Sequence, residues 1–477
     1  MNISNSASVP LVVDMDGSLL KTDMLYESFV SSIGNSITTI FKVPLWLFKG
    51  KFNLKQSLAE GSSIELDHIP YNEELFSFLE EEHAAGRAIY LASAGAPKLV
   101  KAVAEHTDLF EGFFVSENGE NFSSQNKASF LVNKFGLQGF DYVGNSSADL
   151  DVWKVARKAI AVNCSSSLVN QIKSKVEPII FDKPSGRLKA CLKALRPHQW
   201  FKNVLIALPM FAGHAFDLFS ISMVFLAFIS FSLIASMVYI VNDLLDLNND
   251  RAHSSKCRRP FASGKLPIQA GLLLAPLLFF AGVTIGCYVG YQFIVVLAVY
   301  FIITTAYSFK FKKHSIIDVV TLGVLYTLRM VAGIAALNLD YSPWLLGFSL
   351  FLFLSLGIVK RIAEILEKSQ LNETQVKGRG YQVCDLSLLE SMAIASAYSS
   401  IIIYFLYITN AKVSALYNVP ELLWIGIPIL IFWLSRVLLL AHRGDMHEDP
   451  VVFALTDKVS LMTGSLFLVV VILASFI

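Results

Sequence analysis

The 477-residue sequence has little charge and few cysteines, and both shortages narrow the possibilities. Only 16% of the residues are charged and 54% are hydrophobic, an apolar share above that of most soluble chains. The five cysteines are scattered without metal-ligand spacing, which argues against zinc and fits unpaired thiols in a reducing compartment. The first residues lack a basic stretch before an apolar core, so we expect no cleavable signal peptide. The net charge of +1 indicates no partner by itself, and no nucleic-acid partner is expected.

The apolar residues are unevenly distributed along the chain. Residues 1 to about 200 contain charges throughout and Gly, Asn and Ser turns, whereas apolar runs dominate from Asn203 onward. This predicts a soluble domain at 1–185, a basic linker at 186–202 suited to anionic headgroups, and a membrane domain at 203–477. About nine helical spans are predicted, near residues 203–216, 219–241, 267–288, 292–308, 316–338, 343–360, 388–409, 419–441 and 456–477.

Basic residues concentrate in alternate loops between the predicted spans. If the N-terminus is cytosolic, the cytosolic loops contain the bases of residues 251–265, 310–313 and 360–379. The loops on the other side contain Lys412 and almost no other base. The asymmetry follows the positive-inside rule. It predicts a multi-pass inner (cell) membrane protein whose N-terminal domain and active sites face the cytosol.

Two acids follow the first apolar strand of the soluble half. Residues 10–13 predict a buried strand, and Asp14 and Asp16 come at its end, just before a Gly-Ser turn. A divalent cation between the carboxylates would relieve their repulsion. One carboxylate can then attack phosphorus while the other protonates the leaving oxygen. An acidic strand-to-turn cap is the structural alternative for this motif alone.

Three later segments favour phosphoryl chemistry. Ser93 ends an apolar run, Lys127 follows a polar turn, and Asp149 closes a strand-to-turn segment. Together with Asp14 and Asp16, these segments resemble, in order and spacing, the four motifs of the haloacid dehalogenase superfamily.

That resemblance implies an α/β Rossmann-like domain with a helical cap at about residues 24–80. It makes Asp14 the nucleophile, Asp16 the general acid/base, and Ser93 and Lys127 the phosphoryl ligands. The implied magnesium ligands are Asp14, Asp16, Asn145 and Asp149. Asn145 replaces the acid usual in the family, so the metal site loses one charge. A degenerate regulatory or binding domain is therefore the alternative to an active phosphatase.

An acid-rich segment follows the second predicted span. Asp243, Asp246 and Asp250 are spaced i, i+3 and i+7, which places them on one face of a continuing helix, with Asn242 beside it. Acids at the mouth of a membrane helix are costly and usually functional, although a solvated helix end is the structural alternative. Acid-bound magnesium beside cations suits a diphosphate leaving group. The cations that follow are Lys256, Arg258 and Arg259.

The NDxxDxxxD pattern and the following RRP segment resemble the first Asp-rich motif of the UbiA-type intramembrane prenyltransferase superfamily. The similarity covers roughly residues 195–477 and implies an all-α polytopic membrane domain. Within the superfamily, three segments resemble the decaprenyl-phosphate phosphoribosyltransferase branch. They are residues 196–203, which include Lys202, residues 256–260, and residues 328–333, which include Arg329.

The sequence lacks the second DxxxD motif of aromatic prenyltransferases. Lys360 and Arg361 stand at the corresponding place and could hold a lipid phosphate or a ribose 5-phosphate. Arg329 lies inside a predicted span, where a cation is costly, so a functional or buried-paired role is expected. Tyr307, Lys310 and Asp318 are lesser candidates.

Two transferase hypotheses remain open. The first is transfer of 5-phosphoribose from phosphoribosyl diphosphate to a polyprenyl phosphate, followed by removal of the 5-phosphate by the N-terminal domain. The second is prenylation of an aromatic or other acceptor by a prenyl diphosphate. A transporter explains the acid-rich loop poorly. The sequence does not predict the oligomeric state.

Overall fold

The computed structural model describes residues 9–115, 122, 124–174, 177–181, 186–370, 379–446 and 449–476. The chain forms two compact units. The first contains Met1–Arg196 and Tyr239–Pro276, and the second contains Pro197–Val238 and Leu277–Ile477. The Asp-rich segment therefore belongs to the same unit as the N-terminal domain.

A parallel sheet is the centre of the N-terminal domain. In the described residues it has six strands in the order β3-β2-β1-β4-β5-β6. The central strand β1 is completely buried, as its apolar sequence predicts for a parallel sheet covered on both faces. The strands are β1 Leu11–Asp14, β2 Ile89–Ser93, β3 Gly112–Val115, β4 Asp141–Gly144, β5 Ala159–Val162 and β6 Ile179–Phe181. This sheet confirms the predicted α/β fold class.

Nine helices accompany the sheet in the described part of the domain. Three of them, α1 to α3, fill most of the predicted cap region. Helix α2 is too short to cross a bilayer and exposes apolar side chains, including Phe41 and Phe48. The helices are α1 Met24–Asn35, α2 Thr39–Phe48, α3 Lys51–Gly61, α4 Glu73–Ala84, α5 Pro97–Thr107, α6 Ser124–Phe135, α7 Leu150–Val155, α8 Ser166–Lys173 and α9 Arg187–Leu195.

The described residues after α9 are predominantly helical, which confirms the predicted all-α membrane domain. Eight of its helices are long and apolar enough to cross a membrane, counted over the described residues: α11, α13 to α17, α19 and α21. The helices are α10 Leu208–Ala212, α11 Leu218–Leu245, α12 Leu247–Ala252, α13 Ile268–Val289, α14 Tyr291–Phe309, α15 Ile317–Leu337, α16 Pro343–Gln370, α17 Leu386–Ile408, α18 Ala411–Ser414, α19 Gly426–His442, α20 Pro450–Thr456 and α21 Lys458–Phe476.

Of the roughly nine predicted spans, the first is not a membrane-length α-helix, and the other eight correspond to the eight long apolar helices among the described residues. Residues Pro197–Ala207 form a 3₁₀ helix that precedes the short α10. Trp200 Nε1 donates to Ser236 Oγ over 2.8 Å, and Asn203 Nδ2 donates to Ser232 Oγ over 2.9 Å. The segment therefore runs antiparallel to α11. Its sequence neighbours Pro209 and Gly213 explain why no long α-helix forms here.

Candidate active sites

The carboxyl ends of β1, β2 and β4 bring the predicted phosphatase residues together. Lys127 Nζ donates to Asp14 Oδ1 over 2.8 Å and to Tyr142 Oη over 3.0 Å. The Tyr142 hydroxyl donates to Asp149 Oδ1, also over 2.8 Å. Asp16 is bonded separately, since its Oδ2 accepts from Ser93 Oγ at 3.3 Å. The five residues predicted for phosphoryl chemistry thus form two hydrogen-bonded groups: Asp14, Lys127 and Asp149 through Tyr142, and Asp16 with Ser93.

Burial makes the two central carboxyls unusually basic. It raises the pKa of Asp14 to about 6, against the opposing charge of Lys127. It raises the pKa of Asp16 to about 7, and the nearby Asp23 carboxylate adds to this shift. Burial opposes the charge of Lys127, yet Asp14 and Asp149 raise its pKa above the ordinary value. A permanent cation therefore faces two acids that can change protonation near neutral pH.

The donor atoms at this site fit magnesium. Asp14, Asp16 and Asn145 supply oxygens, the ligand type that magnesium prefers. Asn145 lies against the turn after β1: a Cβ placed on Gly17, which has φ of +77°, would lie 2.0 Å from Asn145 Nδ2. Asp149 is engaged differently, because its Oδ2 accepts from the Asn145 and Ser146 backbone amides and the Ser146 hydroxyl. Its role as a direct ligand stays a prediction.

The Asp-rich segment forms the second cluster of the first unit. Helix α11 ends at Leu245, Asp246 is non-helical, and α12 carries Asp250. Arg259 Nη1 bridges two of the acids, at 3.0 Å from Asp243 Oδ1 and 2.6 Å from Asp250 Oδ2. Two of the predicted acids therefore share one guanidinium, even though the helix does not continue through the motif.

Arg196 completes this cluster from the end of α9. Its Nη2 lies 2.5 Å from Asp243 Oδ1, and its guanidinium lies 5.0 Å from the centre of the Tyr239 ring. Asp243 is 2% exposed, so both arginines act on it with little screening by water. Arg196 was not among the predicted site residues. The sequence feature that could have indicated it is its position at the start of segment 196–203.

An unpaired buried oxygen makes this cluster suitable for a cation. Asp243 Oδ2 has no hydrogen-bond partner among the described residues, and a buried polar atom without a partner is costly. Within the described ranges, no group of three or more His, Cys, Asp or Glu has metal-binding geometry. The fit to magnesium therefore rests on the donor chemistry of Asp243 and its acidic neighbours.

The three predicted bases after the motif have different positions. Arg259 contacts the acids directly. Burial raises the pKa of Asp250, and the positive charges of Arg259 and Lys256 oppose this shift. Lys256 therefore also acts on the cluster electrostatically. Arg258 lines a separate basic cavity with residues of α9. Asn242, at the end of α11, precedes Asp243, and its predicted role as a ligand stays a prediction.

A second group of predicted ligands lies in the other unit. Asp449 Oδ2 accepts from Lys202 Nζ at 3.0 Å and from Lys360 Nζ at 2.7 Å. Burial opposes ionisation of Asp449, but the two lysines hold its pKa below the ordinary value. The predicted bases Lys202 and Lys360 are therefore close enough together to bind the same carboxylate oxygen. Asp449 was missed because nothing local in the sequence links it to either lysine.

Arg361 is placed in an internal ion-pair network. Its Nε lies 2.5 Å from Asp318 Oδ2 and its Nη1 lies 2.6 Å from Glu364 Oε2, with Arg361 only 1% exposed. Arg379 Nη1 also contacts Asp318, at 3.1 Å, and Tyr307 donates to the same carboxylate. The ion pair between Arg361 and Asp318 therefore joins α16 to α15. Its predicted role as a phosphate ligand stays a prediction.

Arg329 is buried inside the membrane bundle among aromatic rings. Its Nε donates to Asn203 Oδ1 over 2.9 Å, and its Nη1 donates to the Leu325 carbonyl. The rings of Phe231, Tyr300 and Tyr326 lie 5.2–5.6 Å from its guanidinium carbon. Cation–π contacts of this kind stabilise a desolvated guanidinium. The expectation of a buried, partnered arginine is therefore met, and a substrate role stays a prediction.

An apolar cavity of about 490 Å³ lies in the second unit. Its lining is almost entirely hydrophobic and aromatic, from α10, α15, α16, α17 and α21, with Phe211, Phe348 and Phe467 among its residues. A cavity of this size and lining accommodates part of a hydrocarbon chain.

The helical part of the chain matches a known family. Residues 203–456, more than half of the sequence, match the UbiA prenyltransferase family. The chain belongs to this family. It is a multi-pass membrane protein and a transferase by family.

Three relatives show how far the similarity extends. An uncharacterized protein of Sinorhizobium fredii, y4nM, is 35% identical over 96% of this chain and 89% of its own length. Nodulation protein NoeC of Azorhizobium caulinodans is 32% identical over 57% of this chain and 88% of its own. Decaprenyl-phosphate phosphoribosyltransferase of Mycolicibacterium smegmatis is 34% identical over 38% of this chain and 59% of its own.

Proposed function

We propose that the membrane domain transfers 5-phosphoribose from phosphoribosyl diphosphate to a polyprenyl phosphate. The Asp243 cluster, with its unpaired oxygen and two arginines, is the observation that carries the proposal. The similarity to decaprenyl-phosphate phosphoribosyltransferase supports this donor over a prenyl diphosphate. The proposed acceptor is a polyprenyl phosphate because an apolar cavity exists for a hydrocarbon chain.

The residues have distinct proposed tasks in the transfer. Magnesium bound by Asp243, Asp246 and Asp250 would neutralise charge on the leaving diphosphate. Arg259 and Arg196 supply guanidinium donors that strengthen as charge develops on diphosphate oxygens. An oxygen of the lipid phosphate attacks C1 of the ribose, the C1–O bond to diphosphate breaks, and diphosphate leaves.

The second unit supports a phosphate-binding role for Lys202 and Lys360. Both cations already meet on one carboxylate, that of Asp449, so their ammonium groups are close enough to share a single anionic group. A lipid phosphate carries a comparable charge and more acceptor oxygens. In this proposal, the phosphate competes with Asp449 for the two lysines. The chain has two bases here instead of a second DxxxD motif, and this disfavours a second magnesium cluster.

We further propose that the N-terminal domain removes the 5-phosphate from the ribosylated lipid. Asp14 would attack phosphorus, and Lys127, whose ammonium donates to Asp14, would hold a phosphoryl oxygen. Asp16, whose pKa is raised to about 7, can protonate the leaving ribose oxygen and then take a proton from water. Hydrolysis of the aspartyl phosphate releases inorganic phosphate.

The proposal requires the N-terminal domain and the Asp-rich segment to face the same compartment, the cytosol. Contacts inside the first unit support this, including Asn248 Nδ2 donating to the Ser63 carbonyl over 2.9 Å. Because α11 crosses the bilayer, residues 197–217 must cross it too. The 3₁₀ helix rises about 2.0 Å per residue and α10 about 1.5 Å, which gives roughly 30 Å, the thickness of the hydrocarbon core.

The test uses purified full-length protein in lipid nanodiscs with polyprenyl phosphate and magnesium. Labelled phosphoribosyl diphosphate and labelled prenyl diphosphate are supplied separately, and lipid products are identified by mass spectrometry. Wild type should yield ribosylated lipid without the 5-phosphate. Asp14→Asn should accumulate the phosphorylated lipid, and Asp243→Asn should yield neither product.

Lys101→Gln, an exposed change on α5, is the matched control and should behave as wild type. Product that forms from prenyl diphosphate but not from phosphoribosyl diphosphate would reject the donor assignment. Ribosylated lipid that keeps its 5-phosphate in wild type would reject the phosphatase role and leave the transferase role intact.

A further inference from the structure

A cavity of about 440 Å³ lies in the first unit, and the acids of neither candidate site line it. Its volume is within the range of small-molecule sites, roughly 300–1,000 Å³. Four parts of the chain form its walls: the loop at Lys21, Asn163 after β5, helix α9 with Gly186 before it, and the segment from Arg258 to Pro267.

The side chains around the cavity are strongly basic. Six lining residues are lysine or arginine, and none of the described lining residues is acidic. The charges belong to segments far apart in sequence, so their assembly is a property of the fold. The six residues are Lys21, Arg187, Lys189, Lys193, Arg258 and Lys265. Holding six like charges around one cavity is unfavourable unless an anion is attracted there.

Helix α9 adds the positive end of its dipole to these charges. Gly186 is the residue before the helix, has φ of +72°, and offers no side chain to cap the first amides. Gly186, Arg187 and Ala190 all line the cavity, so the N-terminus of α9 opens onto it. Amides in the first turn of a helix have no partner within the helix and favour anions.

Two contacts join the walls of the cavity. Lys193 Nζ lies 3.5 Å from the Arg258 carbonyl oxygen, which ties α9 to the loop after the Asp-rich segment. Gly264 has φ of +69°, and a Cβ there would lie 2.7 Å from Lys21 Cβ. Only glycine permits this approach of the two loops. The close approach of Gly264 to Lys21 thus fixes two of the cavity walls relative to each other.

The positions of neighbouring arginines separate this cavity from the acid cluster. Arg259 points to Asp243 and Asp250, whereas Arg258 lines the cavity. The sequence predicted one diphosphate ligand set that included both arginines. The structure divides them between an acid cluster suited to a metal-bound diphosphate and a basic cavity suited to an anion without metal.

We propose that this basic cavity is a binding site for a phosphate-bearing anion. The ligand chemistry is a phosphomonoester or diphosphate group, whose oxygens accept from the lysines, the arginines and the first amides of α9. Two sources supply this chemistry: a soluble phosphorylated compound and the headgroup of an anionic lipid. Binding here requires neither of the catalytic activities proposed above.

The experiment compares a double variant, Lys189→Gln with Lys193→Gln, to a control, Lys101→Gln with Lys173→Gln. Both change two exposed lysines of the first unit to glutamine, so the loss of total charge is identical. All proteins are full length and are studied without magnesium, which suppresses binding at the acid clusters. Equal thermal unfolding of the two variants establishes that folding is intact, and Arg258→Gln is a third, independent variant.

The first arm measures binding of labelled inorganic diphosphate in nanodiscs of phosphatidylcholine. Saturable binding that weakens about tenfold or more in the cavity variants, but less than twofold in the control, supports a soluble ligand. The second arm measures retention of phosphatidic acid against phosphatidylcholine by native mass spectrometry. Selective retention that is lost only in the cavity variants supports a lipid headgroup. Absence of both effects, or equal losses in the cavity and control variants, overturns the proposal.

Discussion

The Glu27 carboxylate on α1 accepts two hydrogen bonds from the Arg251 guanidinium on α12, at 2.6 and 3.2 Å. Both side chains are nearly fully buried, at 2% and 3% exposure. Thr22 Oγ1 also donates to Glu27, and Arg251 Nε donates to the Ala262 carbonyl. The pair joins the cap region of the N-terminal domain to helix α12, which carries Asp250.

Glu27→Gln should strongly destabilise the first unit. It leaves the buried Arg251 charge without its carboxylate, a loss of about 3–5 kcal/mol. The exposed pair Lys101–Glu105 is the matched control, and Glu105→Gln should cost roughly 0–1 kcal/mol. Thermal unfolding in detergent measures both. Combining Glu27→Gln with Arg251→Gln should cost less than the two single changes together, and strict additivity would show that the pair contributes no coupling.

Asn145→Asp should lower the magnesium concentration that the proposed phosphatase site requires. The change restores a negative charge beside Asp14 and Asp16, which increases the attraction for a divalent cation. We expect half-saturation at a magnesium concentration about tenfold lower, measured with a small phosphomonoester substrate. Asn145→Ala is the matched control. It should weaken magnesium binding, so that half-saturation needs a higher magnesium concentration. If aspartate and alanine have the same effect, residue 145 is not a ligand.

The metal-free N-terminal domain should lose stability as pH rises from about 5 to 7.5. The pKa of Asp14 is raised to about 6 and that of Asp16 to about 7 in the folded state, from 3.8 in each case. Between these values the unfolded chain binds fewer protons than the folded one, so the free energy of unfolding falls with pH. Magnesium should therefore raise the melting temperature more at pH 7.5 than at pH 5. Asp16→Asn should flatten the dependence, and an unchanged profile would contradict the shifts.

The residues before α11 should reach the far side of the membrane. Single-cysteine variants are labelled in intact cells with an impermeant maleimide, using native Cys257, Lys101→Cys and Asp217→Cys. We expect Asp217→Cys to react in intact cells, while Cys257 and Lys101→Cys react only after permeabilisation. Reaction of Lys101→Cys together with Asp217→Cys would place the N-terminal domain on the other side and remove the proposed crossing.

Local sequence was sufficient for the features that depend on neighbouring residues. The apolar strand before Asp14 and the glycine turn after Asp16 determined both the sheet and the acid pair, because burial and turn geometry act over a few residues. The Asp-rich motif was found for the same reason. Its continuation as one helix was not correct, since the chain departs from helical geometry at Asp246.

The features that sequence did not predict depend on contacts between distant segments. Glu27 and Arg251 are separated by 224 residues, and Lys202 and Asp449 by 247. Neither pair has a local pattern, because a buried ion pair needs only that the fold bring two charges together. The division between Arg258 and Arg259 was hidden for a related reason. Adjacent side chains point in different directions in helices and strands alike, and the fold decides which groups each of them contacts.

The 3₁₀ geometry of residues 197–207 makes this segment sensitive to changes in chain length. With three residues per turn, Trp200, Asn203 and Ile206 lie in a single row. One inserted residue before Asn203 would rotate the rest of the row by about 120° and turn the Asn203 amide away from Arg329. An insertion of three residues would restore the direction but shift the row by one turn. Deletions and insertions here should therefore be tolerated far less than side-chain substitutions on the neighbouring, exposed row, at Phe201 and Val204.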